Sequence, residues 1–202
     1  SMLQVADLLS SLESNEKRII ECAAFIGTEV DASTLSVALD MPRLTTLVSL
    51  RRLEKKGIMK DILDQDDVYA FTSSSFLNGV RYITSNYSDE NTNISQIVRE
   101  YQRRITLSLE KKYNIQIDNI DTIKNIGDHT IFKLAKRSMA AGETMLRTAL
   151  FYNKVAQDRA LKSKLYFDAI TFGRNILDIS EKISSDKINS NLASHIFATI
   201  TS

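Results

Sequence analysis

The chain has 202 residues, 43% of them hydrophobic and 25% charged, with a formal net charge of +1. That length can bury one large core or two small ones, and the near-neutral balance excludes a chain-wide pull toward nucleic acid or acidic membranes. A single cysteine, Cys22, excludes an internal disulfide, and no apolar run reaches the roughly 20 residues that span a bilayer.

One proline and six glycines predict a mostly helical chain with few irregular loops. No signal peptide opens it. Ser1-Met2 reads as a cloning remnant ahead of the native sequence, so the chain is expected to be a piece of a longer protein.

Val5, Leu8, Leu9 and Leu12 recur at helical spacing and predict a first helix. Ser14 is the expected N-cap of a second, with Lys17 standing where a capping box would carry Glu or Gln. Ile19, Ile20, Ala23 and Ala24 form its apolar face, Cys22 falls within it as a buried thiol, and Gly27 stops it. Asp31 or Ser33 caps a short third helix through Leu35, Val37 and Leu39. Met41-Pro42 opens a fourth, whose expected buried face is Leu44, Leu47, Val48, Leu50 and Leu53, and Gly57 ends it.

The period then changes. Ile58 to Leu63 and Val68 to Phe71 are short β-prone runs around the turn-like cluster Asp64-Gln65-Asp66-Asp67. Three helices followed by a two-stranded hairpin is the element order of a winged helix-turn-helix. Residues 73–85 predict a further helix with Phe76, Leu77, Val80 and Ile83 inward. The polar run 85–91 is the expected boundary, giving a winged-helix domain over 1–86 and a helical bundle over 87–202. In the second part the spacing predicts helices near 92–113, 118–139, 143–158, 160–183 and 187–200. Ala135, Ala140, Ala141, Ala149, Ala156 and Ala160 would let neighbouring helices approach closely. The expected fold class is therefore mainly α: a winged helix-turn-helix with a small β-hairpin, then an antiparallel, TPR-like helical stack, although no 34-residue repeat is visible.

Several segments together resemble the region that follows the nucleotide-binding module in AAA+/STAND-type signal-transduction ATPases. The run Ile19 to Val30, with Ala23-Ala24 and Ile26-Gly27, is similar to that family's Ala-Ala-x-Ile-Gly segment, with Val30 at its usual aromatic. Leu47, Leu50, Leu53 and Gly57-Ile58-Met59 resemble the next helix and first wing strand, and Tyr69-Ala70-Phe71 the second; Ser73 stands where the family often has His. Ile126-Gly127-Asp128-His129 and Ala149-Leu150-Phe151-Tyr152, then Ala156 and Ala160, resemble the linker helices that lead into repeats. The resemblance covers roughly 150 residues. It implies a role in relaying, restraining or assembling beside an upstream ATPase, and brings no catalytic residue with it.

Residues that carry chemistry are sparse. No G-x-x-x-x-G-K-[ST] run occurs, so no nucleotide hydrolysis is expected of this chain. His129 and His195 are the only histidines and stand apart from Cys22, so neither a catalytic residue, a metal site nor a cofactor is expected. Asp64, Asp66 and Asp67 lack the regular ligand spacing and terminal Glu of a calcium loop and read as a solvated hairpin tip.

The rival function is DNA binding through the fourth helix, by Arg43, Arg51, Arg52, Lys55 and Lys56. Against it, residues 1–85 hold nine Lys and Arg against twelve Asp and Glu, and the wing itself carries Asp61, Asp64, Asp66 and Asp67. Four of the five bases also crowd the C-terminal end of the helix, where they complement its dipole. Arg99, Arg103, Arg104, Lys111 and Lys112, interleaved with Glu100 and Glu110, read as a solvated helix with local ion pairs. The expectation is a cytoplasmic, non-catalytic regulatory and protein-interaction module of a larger signalling ATPase. Its expected partner is a protein, an adjacent domain of the same chain or a second copy, not a membrane and not nucleic acid. The alternative is a winged-helix transcriptional regulator with a helical dimerisation or effector domain.

Overall fold

A computed structural model describes the backbone of residues 1–86 and 95–200, and the side chains within them except those of 95 and 191–200. The fold is mainly helical with a small antiparallel sheet, and it divides into two compact units, Ser1–Ile115 and Gln116–Ser202. No helix among the described residues is long and apolar enough to cross a membrane.

The first unit runs α1 (Met2–Ser11), α2 (Ser14–Ile26), β1 (Glu29–Asp31), α3 (Ala32–Leu39), α4 (Arg43–Lys55), β2 (Met59–Asp61), β3 (Val68–Phe71), α5 (Ser74–Asn86) and α6 (Ser95–Tyr113). Its centre is α2, because Ile19, Ile20, Cys22, Ala23 and Ala24 are all fully buried and small enough on one side to admit neighbours closely. The N-cap of α2 is Glu13 rather than Ser14, and Glu16, not Lys17, holds the third helical position. There the Glu16 carboxylate accepts the Glu13 N–H at 3.0 Å, the half of a capping box that reaches back to the cap.

Asp31 caps α3, accepting the Thr34 N–H at 2.8 Å. Its own backbone belongs to β1, a strand not expected from the sequence because three residues leave no readable alternation. The sheet order is β1-β3-β2, with Val30 opposite Tyr69 and Met59 opposite Phe71. Gly57, at φ +72°, takes the left-handed turn that ends α4 and starts β2.

The expected boundary at 86/87 opens onto 87–94, which lies outside the described residues. Helix α6, expected with the second domain, packs in the first unit. Three side chains tie it to α3 in antiparallel sequence. Arg104 donates to the Ala38 carbonyl at 3.3 Å, Ser108 to the Thr34 carbonyl at 2.9 Å, and Lys112 to Asp31 at 3.1 Å. The Tyr101 hydroxyl donates to Glu21 at 2.8 Å, its ring stacks on Phe25, and Ile105 is fully buried. The local pairs of Glu100 with Arg103 and Arg104 are present as well, so this charged helix is both solvated and docked.

The second unit holds α7 (Asp128–Ala140), α8 (Leu146–Lys162) and α9 (Tyr166–Ile200), with 3-10 turns at Ile120–Ile123 and Gly142–Met145. The helix expected over 118–139 is therefore broken: Asn119 accepts the Asp121 N–H to cap a short turn, and Gly127 then starts α7 afresh. The break expected between 183 and 187 is absent. Ser184-Ser185-Asp186-Lys187 contains neither Pro nor Gly, and a polar run alone does not stop a helix. The chain instead reverses at Lys164, φ +59°, between α8 and α9. Ala135, Ala149, Ala156 and Ala160 are buried as their spacing suggested, whereas Ala140 is exposed. Around them pack Ile131, Leu134, Tyr152 and Phe172, the last with Phe132 at 5.1 Å between ring centres.

Candidate functional site

Helix α4 and its C-cap Lys56 carry every residue singled out for binding. Thr46, Ser49, Leu50 and Leu53 are its buried positions and Leu47 is half-buried. Leu44 and Val48, expected inside, point outward and are 74% and 45% exposed. Thr46 and Ser49 are small enough to let α4 lie close to its neighbours, and Thr46 satisfies its hydroxyl on the Pro42 carbonyl at 3.2 Å. The inward face is thus rotated from the one that the leucines mark.

The five basic residues divide into two groups. Arg43 donates to Ser33 and to Asp67, the last residue of the hairpin turn. Arg52 pairs with Glu13 at 2.5 Å and Lys56 with Glu16 at 2.6 Å. Arg51 and Lys55 are exposed and form no ion pair among the described residues. Arg51 lies close enough to favour ionisation of the buried Tyr69 hydroxyl. Burial, which pushes that hydroxyl up, and the charges of Asp61, Glu54 and Asp67 outweigh it.

Glu16 is a buried charged side chain at this end of α4 that spacing alone did not reveal. It is 1% exposed, and its Oε2 accepts both the Lys56 ammonium and the Glu13 N–H, while Oε1 has no partner. Burial pushes its carboxyl up, but the Lys56 bond, the Glu13 N–H and the charges of Lys56 and Arg52 together hold it below its ordinary value of 4.5. Reading Glu13-x-x-Glu16 as the cap, in place of Ser14-x-x-Lys17, is the signal that would have found it.

A cleft of about 540 Å³ lies between the start of α3, the hairpin tip and α6, lined by Asp31, Ser33, Thr34, Asp67, Lys111 and Lys112. Two of its carboxylates are engaged within the unit, Asp31 with Thr34 and Lys112, and Asp67 with Arg43. No group of three or more His, Cys, Asp or Glu among the described residues is arranged to hold a metal ion. Cys22 is buried within α2, and His129 is exposed on the first turn of α7. The His195 side chain lies outside the described residues. No family model, curated protein or solved structure matches the chain.

Proposed function

We propose that the chain is a non-catalytic regulatory and protein-interaction module of a larger multidomain signalling ATPase, its first unit a winged helix and its second a TPR-like helical stack. The order helix, helix, strand, helix, helix, hairpin supports the winged-helix reading, with α4 in the place of the recognition helix. Three antiparallel helices that approach through buried alanines support the stack.

The observation that carries the choice of partner is the state of the bases on α4. Arg43, Arg52 and Lys56 each meet an acidic side chain of the same unit. A phosphate would have to displace those carboxylates, which removes most of the counterion release that drives protein–DNA association. The first turn of α4, where a recognition helix meets base edges, presents exposed Leu44 beside the engaged Arg43. Arg51 and Lys55 alone keep the DNA-binding reading alive.

Fluorescence anisotropy with labelled duplexes decides between them. Near 0.15 M salt the expected dissociation constant is on the order of 10⁻⁵ M or weaker, without sequence preference. Sequence-selective binding in the nanomolar range would sink the protein-interaction reading and establish a transcriptional regulator.

A further inference from the structure

Leu44, Val48, Arg51 and Lys55 are spaced four, three and four residues apart, so they stand on one outward face of α4. The face is divided along its length. Its N-terminal half is apolar, with Leu44 and Val48 exposed, and its C-terminal half carries the two cations of α4 that no carboxylate among the described residues meets. It extends about 16 Å along the helix at 1.5 Å per residue, the length of three helical turns.

From this division we propose that α4 receives an amphipathic helix of a partner protein, antiparallel to α4, with acidic residues in its first turns and apolar residues in its last. The acidic end meets Arg51 and Lys55, and the apolar end covers Leu44 and Val48. Polarity follows from the dipoles as well. Acidic side chains are favoured at a helix N-terminus, and antiparallel docking sets that end beside the basic C-terminal turns of α4. Glu54 is half-buried and stands about 100° round the helix from Lys55, to one side of this face. Asp61 lies opposite Tyr69 on the hairpin, and Asp67 is already engaged by Arg43. This assignment rests on the protein-interaction reading above and specifies the chemistry of the partner.

The test uses the whole chain and synthetic helical peptides of roughly 18 residues, long enough to hold a helix. One peptide carries Glu in its first two turns and Leu at i, i+4 spacing in the rest. A second has Lys for Glu, and a third places the Glu turns at the C-terminal end. The first should bind with a dissociation constant of about 10⁻⁵ to 10⁻⁴ M, and the other two at least about tenfold more weakly. In the double variant R51E/K55E the preference should reverse, the Lys peptide binding better than the Glu peptide, while L44S weakens both. All four positions are exposed, so an unchanged circular-dichroism melt establishes that each variant is folded.

Equal affinity for the three peptides, no binding at millimolar concentration, or a preference that R51E/K55E leaves in place would each overturn the assignment. A duplex tested alongside separates the two readings. Weak duplex binding with failed peptides removes only this assignment, whereas nanomolar duplex binding abolished by R51E/K55E removes the protein-interaction reading with it.

Discussion

Glu16 shows how one side chain can serve two levels of structure. Its carboxylate closes the first turn of α2 and, from a fully buried position, holds the end of α4 through Lys56 at 2.6 Å. Glu16→Gln keeps the shape and removes the charge. It should cost about 1–2 kcal/mol in denaturant unfolding, since Lys56 is partly exposed and can recover water as a partner. The pH dependence follows from the direction of the shift. A carboxyl held below its ordinary value stabilises the fold fully above that value, 4.5 for Glu16, and loses this contribution as pH falls through the lower folded value. Asp31 behaves alike: burial pushes it up, but the bonds from Thr34 and Lys112 bring it below its ordinary 3.8. Between about pH 5 and pH 2 the loss of stability on acidification should therefore be shallower in Glu16→Gln than in the parent chain.

At the scale of elements, polar groups set which helices meet and in what register. In the second unit Asn153 is fully buried on α8, donating to the Ala135 and Ala149 carbonyls at 3.3 and 2.8 Å and accepting from Asn175 of α9 at 3.0 Å. That one amide links α7, α8 and α9 where the flanking alanines would tolerate several offsets. Asn153→Ala should cost about 2–3 kcal/mol, because Asn175 is left without its acceptor, while N153L/N175L should recover much of the loss by removing both partners. Amide hydrogen exchange along α7 and α8 reads the difference, with faster exchange in the single variant only. The three bonds from α6 to α3 act in the same way in the first unit.

For the whole molecule, the placement of α6 decides where the chain can be cut. Residues 1–115 retain Tyr101, Ile105 and Ser108 against α2 and α3, whereas residues 1–86 leave those surfaces bare. A chain of residues 1–115 should unfold in a single cooperative thermal transition. A chain of residues 1–86 should melt at lower temperature or without cooperativity and should bind a hydrophobic dye. Equal melting temperatures for the two would show that α6 contributes nothing to the core.

Much of the fold is legible from residue type and spacing because the physics behind it is local. Apolar period, caps and glycine stops place α2, α3, α4, the hairpin and α5 to within a few residues, and the same composition makes Cys22 a buried thiol. The five bases of α4 were legible too, as residues. What they do was not, because an ion pair such as Arg52 with Glu13 joins positions far apart in the chain and depends on how α4 is rotated. Leu47, Leu50 and Leu53 point inward as their spacing suggested, but Leu44 and Val48 do not, since Thr46 and Ser49 occupy buried positions for closeness of approach rather than hydrophobicity. Strand β1 and the docking of α6 were settled by partners distant in sequence. Local sequence determined most of the helical segments and where the basic residues of α4 stand along the chain. Only tertiary packing decided which of those residues are spent on the fold, leaving Leu44, Val48, Arg51 and Lys55 outward, because burial and ion pairing are properties of neighbours that the chain brings together only on folding.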